Sequence, residues 1–332
     1  MALTEEGIIQ VPGLLSRWVR LSTGVKAHYM TAGETGPDVV LLHGGIQGSS
    51  GTAGFRYMAP FLAANGFRVH CPDMPAFGLT EDPTNHYGYG QGAHIDFIHD
   101  FTRAIGLDTF HLAGNSMGCS NTSVYVVSHP EQVLSFALIA GRVGDLVPWE
   151  EMRKADGRPK EQLPKLGFDG SESSMRHTME QIILDPAKVS DDVVAMRTLA
   201  ANRNAEFWGP NMKRFHAPRD GRAPASEEAR LRTRGRLDET SIPGIYLYGR
   251  EDVLHRVEAG YVQEDALPAV QFFYPEDAGH QGQTDQPEVF NQTILEFFRD
   301  GKVSWETAQR AGISSRRPPL PSVVAVEAPV SF

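Results

Sequence analysis

The stretch His111–Cys119, with Ser116 at its centre, constrains this chain more than any other. Upstream, Gly106-Leu-Asp-Thr-Phe-His-Leu-Ala113 ends in a short apolar run of strand type. Downstream, Cys119 to Val127 is small and apolar, and the segment stops at His129-Pro130. Gly114-Asn-Ser-Met-Gly118 therefore stands where a buried strand turns sharply into a helix. Glycine on both sides of a serine suits such a turn, because side chains there would collide with neighbouring backbone. The turn lifts the Ser116 hydroxyl out of the fold, beside the first free N–H groups of a helix. This is the Gly-x-Ser-x-Gly pattern of a nucleophile elbow, and it equally describes a glycine-rich turn with a surface serine. The rest of the chain has to decide between them.

Strand signals recur around it. Ile8 to Val11 and Trp18 to Leu21 read as strands about a turn, and Val25–Met30 alternates. The buried run Val39–Leu42 ends in the glycine-rich loop His43-Gly-Gly-Ile-Gln-Gly48. Phe55 to Asn65 predicts a helix, Phe67–Cys71 a strand, and Gly90 to Ile105 a second helix. Val133–Ile139 is a further buried strand. Strands alternating with helices imply a parallel sheet with helices on both faces. The rhythm breaks after Gly141. From Asp145 to Leu237 the chain is charged and helical, with helices expected at Met175–Leu184, Ser190–Arg203 and Ser226–Arg234, and loops at Lys154–Gly170 and Pro210–Pro224. Strands resume at Ile242–Tyr248 and Val270–Tyr274, the first followed by a helix over Arg256–Leu267, and a last helix spans Pro287–Arg299. The expected division is residues 1–144 and 239–300 as two parts of one α/β core, 145–238 as an inserted helical cap, and 301–332 as a C-terminal extension. That extension holds a short amphipathic stretch from Gly301 onward and then becomes a Ser-Ser-Arg-Arg-Pro-Pro-Leu-Pro run without core periodicity, which reads as an extended or disordered arm.

Composition narrows the partners. A formal charge of −10 from 31 basic and 41 acidic residues argues against a nucleic-acid or anionic-membrane surface. No segment is apolar for long enough to span a bilayer, and the acidic, polar Met1–Gly7 carries no export pattern. Two cysteines, Cys71 and Cys119, are too few for a disulfide scaffold and fit a reducing cytoplasm. A small-molecule substrate is the partner that remains, with self-association through the C-terminal arm as a further candidate.

Three residues occupy matching places. Ser116, Asp252 and His280 each follow a predicted parallel strand, where open α/β sheets put their active sites. A serine hydroxyl is a poor nucleophile until an imidazole takes its proton, and a carboxylate fixes that imidazole's tautomer. His43-Gly-Gly45 supplies backbone donors, so Gly45 and Met117 are the candidate oxyanion hole. Read singly, Asp252 also suits a helix cap near His255, and His280 a hydrogen-bonded loop histidine. Among other acids, Asp73 precedes the nucleophile and reads as a loop-fixing residue. Asp277 is too close in sequence to His280 to approach its ring from the far side. His43 reads as structural, and Cys119 as a small helix residue.

These residues resemble the α/β-hydrolase superfamily over roughly residues 20 to 300, and within it the meta-cleavage-product hydrolases, which cleave carbon–carbon bonds in aromatic catabolism. The resemblance rests on His43-Gly-Gly45, Gly114-Asn-Ser-Met-Gly118, Gly249-Arg-Glu-Asp252 and Gly279-His280, with Gln283 and Phe290-Asn291 following the family pattern. It implies an α/β-hydrolase fold, a mostly parallel doubly wound sheet with an inserted helical cap. In the cap, Asp192-Val-Val-Ala-Met-Arg197 resembles the helix whose arginine binds the substrate's carboxylate or dienol; a solvated helix face is the other reading of Arg197. Gly44, Ile46, Asn115, Arg197 and Gln281 are the implied substrate-binding positions. Gln281 departs from the pattern, standing where a tryptophan is common, as does Ile46–Ser50, where the family has more glycine and proline. The implied reaction is hydrolysis of a vinylogous 1,5-diketone acid without metal or organic cofactor. A carboxylesterase or lactonase with the same triad is the rival, and a non-enzymatic receptor on the same fold is a more distant one.

Overall fold

The computed structural model describes residues 3–82, 84–87, 90–208 and 229–324. In chain order, the first strands are β1 (Leu15–Arg20), β2 (Lys26–Ala32) and β3 (Asp38–Leu42). Helices α1 (Gly51–Phe55) and α2 (Met58–Ala64) lead to β4 (Arg68–Pro72), and α3 (Gln91–Ala104) to β5 (Phe110–Asn115). Then come α4 (Met117–Ser128) and β6 (Val133–Ile139). Helices α5 (Trp149–Asp156), α6 (Glu172–Ile182) and α7 (Asp191–Arg203) precede β7 (Gly244–Leu247). The chain continues through α8 (Val257–Ala266), β8 (Val270–Phe273), α9 (Gly282–Asp285) and α10 (Pro287–Asp300).

Strands β1 to β8 form one sheet in the order β1-β2-β4-β3-β5-β6-β7-β8. The β1/β2 and β2/β4 pairs are antiparallel, and every pair from β4 to β8 is parallel. The parallel strands are buried on both faces, which is why they read as unbroken apolar runs. Their side chains alternate between two cores: Val39, Leu41, Ala113, Ile139 and Leu247 enter one, while Val40, Leu42, Leu112, Leu138 and Tyr246 enter the other. The carboxyl ends of β3, β5, β6, β7 and β8 consequently open at one edge of the sheet, the edge where Ser116 lies.

Several sequence expectations need correction. Ile8–Val11 is not a strand; Ile9 makes one isolated bridge to Leu3, and Ile8 and Ile9 are simply buried against the core. The helix expected over Phe55–Asn65 is two, the first starting earlier, where Ser50 Oγ accepts from the Ala53 N–H at 3.1 Å. Helix α5 runs into the segment expected as a loop from Lys154. The expected loop Pro210–Pro224 and residues 226–228 of the expected helix Ser226–Arg234 lie outside the described residues; of the rest of that helix, residues 229–231 are helical and 232–234 are not. The tail is not a free arm as far as Val324. It forms β9 (Val303–Ser304), α11 (Trp305–Arg310) and β10 (Val323–Val324), with Val303, Ala308 and Ala311 buried. Arg316 and Arg317 pair with Glu264, which is buried on α8.

Candidate active site

The elbow is built by close approach. Ser116 connects β5 to α4 with φ 58° and ψ −113°, its N–H donating to the Ile139 carbonyl of β6 at 2.9 Å. A Cβ on Gly114 would stand 2.1 Å from the Gly118 carbonyl oxygen, and one on Gly118 would stand 2.0 Å from that of Leu42. Both flanking glycines are thus required by the backbone around the serine, and a surface turn would impose no such crowding.

Asp252 follows β7 and His280 follows β8. His280 Nδ1 lies 2.8 Å from Asp252 Oδ2, and both side chains are buried. Asp252 Oδ1 accepts from the N–H groups of Leu254 at 2.8 Å and His255 at 3.3 Å. The carboxylate therefore caps its loop and holds the histidine at once, so the two readings of Asp252 do not compete. His280 Nε2 is buried without a hydrogen-bond partner. Neither competing acid reaches it. Asp73 is engaged by His28 at 2.7 Å and by the N–H groups of Gly51 and Leu79. Burial opposes ionisation of Asp73, yet the neighbouring His28 holds its carboxyl below the usual range. Asp277 is exposed. His43 Nε2 accepts the Met74 N–H at 3.0 Å, which puts the proton on Nδ1, 2.7 Å from the Gly44 carbonyl; that ring fixes the loop.

The segment between β6 and β7 holds both loops in place. Arg158 donates to the Val253 carbonyl at 2.6 Å, and Asp156 accepts the Arg256 N–H at 3.0 Å, bracketing the turn after Asp252. Asp285 accepts from Leu184 at 2.7 Å, Asp185 at 3.1 Å and Gly279 at 2.8 Å, tying the end of α6 to the residue before His280.

Ser116, His280, Gly45, Met117 and Ile46 line one cavity of about 450 Å³. Asp252 stands behind His280. Gly44, Asn115, Arg197 and Gln281 are not in the cavity wall. Asn115 Nδ2 instead donates to the His280 carbonyl at 3.0 Å, joining elbow to histidine loop. Gln281 is buried, its N–H donating to the Ile182 carbonyl at 3.1 Å. Arg197 is 1% exposed, so it is not a solvated helix face; Nη2 donates to Ser49 Oγ at 3.3 Å and Nε has no partner. Burial, with Arg56 nearby, lowers the Arg197 guanidinium to about 10, still protonated at neutral pH. Sequence reasoning missed the rest of the wall, which includes His94, Asn121, Arg142, Trp208 and His255. None of these sits in a motif, and only the fold brings them to the sheet edge. Among the described residues no three His, Cys, Asp or Glu side chains gather as a metal site.

The profile of the family described as the alpha/beta hydrolase fold matches residues 37–287. A 2-hydroxy-6-oxononadienedioate/2-hydroxy-6-oxononatrienedioate hydrolase of Pseudomonas putida is 26% identical over 294 residues, covering 86% of this chain and 96% of that protein. The solved 2-hydroxy-6-oxo-6-phenylhexa-2,4-dienoate hydrolase of Rhodococcus sp. strain RHA1 superposes with a TM-score of 0.66 at 23% identity, over 86% of this chain and 99% of that one. A carboxylesterase of Bacillus subtilis gives 0.63 at 19% identity, over 90% and 94%. At these identities the solved structures speak for the fold.

Proposed function

The chain belongs to the α/β-hydrolase fold family, and we propose that it is a serine hydrolase cleaving a carbon–carbon bond in a vinylogous 1,5-diketone acid, a ring-fission product of aromatic catabolism. The observation that carries the hydrolytic reading is one cavity lined by Ser116 on its strained elbow and by His280, whose Nδ1 Asp252 holds. The names of relatives such as the Pseudomonas putida dioate hydrolase support the substrate class. So does Arg197, a buried cation with no carboxylate within ion-pair distance among the described residues.

In this reading the dienol end of the substrate lies toward Arg197 and is ketonised with His280 as proton carrier. Ser116, or a water activated through it, adds to the remote ketone while its proton passes to His280 Nε2. The N–H groups of Gly45 and Met117 face the oxyanion. Collapse breaks the carbon–carbon bond, and its electron pair flows into the conjugated ketone to give the dienolate. One water is consumed, and the acyl part leaves as a carboxylic acid. A reducing cytoplasm suits Cys71 and Cys119, which are buried and unpaired.

One observation favours the rival carboxylesterase or lactonase: Arg197 is not in the cavity wall. Rates on a ring-fission product and on a 4-nitrophenyl ester, for wild type and Ser116→Ala, separate the readings. Wild-type turnover of the ester alone selects the esterase. A Ser116→Ala variant that cleaves ring-fission products at the wild-type rate removes the serine mechanism.

A further inference from the structure

Among the described residues, the wall of the cavity beside Ser116 carries a single fixed charge. Among the described residues that line it there is no Asp, Glu or Lys, and one Arg, Arg142. Two of its histidines add nothing at neutral pH, because burial lowers both His94 and His255 to about 4. A chain with formal charge −10 thus puts one arginine, offset only in part by the nearby Asp145, among the described residues in the wall of this cavity.

Arg142 is not consumed by the fold. Its Nε is buried without a partner, and Nη2 makes one long bond to the Gly144 carbonyl at 3.5 Å. The nearby Asp145 is engaged elsewhere, accepting from the Thr233 N–H at 2.6 Å, the Thr233 hydroxyl at 2.8 Å and the Arg234 N–H at 3.2 Å. The guanidinium stands over the Trp149 ring at 5.4 Å, a contact that steadies a planar cation without neutralising it.

Its position relative to Ser116 gives it a direction. In the sheet, β5 lies between β3 and β6, so the loops after β3 and β6 flank the nucleophile on opposite sides. The oxyanion position Gly45 belongs to the β3 side, and so does Arg197, bonded to Ser49 of that loop. Arg142 belongs to the β6 side. Ser120, one helical turn after Ser116, donates its hydroxyl to the Arg142 carbonyl at 2.8 Å, which puts that backbone about 5 Å along α4 from the nucleophile.

We propose that Arg142 binds a carboxylate on the acyl part of the substrate, the part released as a carboxylic acid, making the substrate a dicarboxylic acid anchored by a cation on each side of the scissile bond. This rests on the carbon–carbon hydrolase reading for the identity of the substrate, but the anion preference of the acyl side can be tested without it. A guanidinium pairs with a carboxylate through two parallel hydrogen bonds, and Arg142 lines the same cavity as Ser116, so the carboxylate it would take is one carried on a short acyl chain.

The test uses two matched pairs with wild type, Arg142→Gln and Arg142→Lys. One pair is a ring-fission product ending in a propanoate chain against its propyl counterpart; the other is 4-nitrophenyl hemisuccinate against 4-nitrophenyl butyrate. The readout is the ratio of kcat/KM for the carboxylate-bearing member over the neutral one. Arg142→Gln is expected to lower that ratio about 10- to 100-fold, mainly through KM, with Arg142→Lys intermediate. A ratio that does not change in the variants overturns the proposal, as does a wild type that prefers the neutral members. If wild type hydrolyses only the esters, the carbon–carbon reading fails while the ester ratio still decides the role of Arg142. No turnover of either pair overturns both.

Discussion

Ser116 holds a backbone conformation that a side chain makes expensive, so its replacements separate the cost of the elbow from its use. At φ 58° and ψ −113° a residue with a Cβ carries about 1–3 kcal/mol of strain. Glycine removes that strain and gives back about 0.5–1 kcal/mol through the greater freedom of the unfolded chain. Among the described residues the Ser116 hydroxyl makes no hydrogen bond, so losing it forfeits little. Ser116→Gly should therefore be more stable than wild type by about 0.5–2 kcal/mol, and Ser116→Ala, which keeps the Cβ, should lie within about 0.5 kcal/mol of wild type. Both should lose at least about 10³-fold in kcat. Urea unfolding of the three proteins at pH 7, at equal slope, measures the difference. A Ser116→Gly variant less stable than Ser116→Ala would refute the claim that Ser116 is held under strain.

Three further outcomes follow from buried polar groups. Burial lowers His94, His111 and His255 to about 4, below their unfolded value near 6.5. The unfolded chain then binds more protons between those values, so the stability they allow is complete above pH 6.5 and is lost as pH falls toward 4. From pH 7 to pH 5 the loss is of order 2 kcal/mol for each well-buried ring. His111→Phe, with the ring already stacked on Phe298 at 4.8 Å, should flatten that dependence in urea titrations at the two pH values; an unchanged slope would count against it. Asp285→Ala strands the N–H groups of Leu184, Asp185 and Gly279, and should cost about 3 kcal/mol or more in urea unfolding, with kcat falling as the His280 loop loosens. Truncation after Asp300 removes Arg316 and Arg317 from the buried Glu264, together with the buried Val303, and should destabilise by at least about 3 kcal/mol. A truncated chain with the wild-type unfolding midpoint would show that the tail's packing contributes nothing.

The parallel strands were legible because burial on both faces leaves no polar alternation, and each such run stops where the chain reaches the sheet edge. Segments stabilised otherwise were not. Ile8 and Ile9 are apolar because they pack against the core, and beyond the isolated Leu3–Ile9 bridge they join no strand of the sheet. Helix α1 contains Gly51 and Gly54, poor helix formers, and owes its start to the Ser50 cap. A Cβ on Gly51 would stand 2.3 Å from the Cys71 carbonyl, so close packing against β4 outweighs helix propensity there. The tail is held by Arg316 and Arg317, by short pairings and by the burial of Val303, Ala308 and Ala311, and beyond its brief amphipathic stretch it leaves no hydrophobic period to read.

The same distinction explains which parts of the candidate site the sequence exposed. Ser116, Asp252 and His280 stand in fixed local contexts, each a loop directly after a strand, so the chemistry is written next to the strand that aims it. Recognition is written differently. Arg142 looks like the first residue of an irregular charged stretch, and its place comes from strand order: β6 lies beside β5, which leads into Ser116, and across it from β3, which leads into the glycine-rich loop proposed as the oxyanion site. Arg197 shows the converse. Its helix was readable, yet its burial against Ser49 and its absence from the cavity wall depend on how α7 docks on a loop about 150 positions away. In a fold shared by many hydrolases, the reaction type can therefore be read from short motifs, while candidate recognition residues come into view only when the topology shows which side chains stand on either side of the elbow.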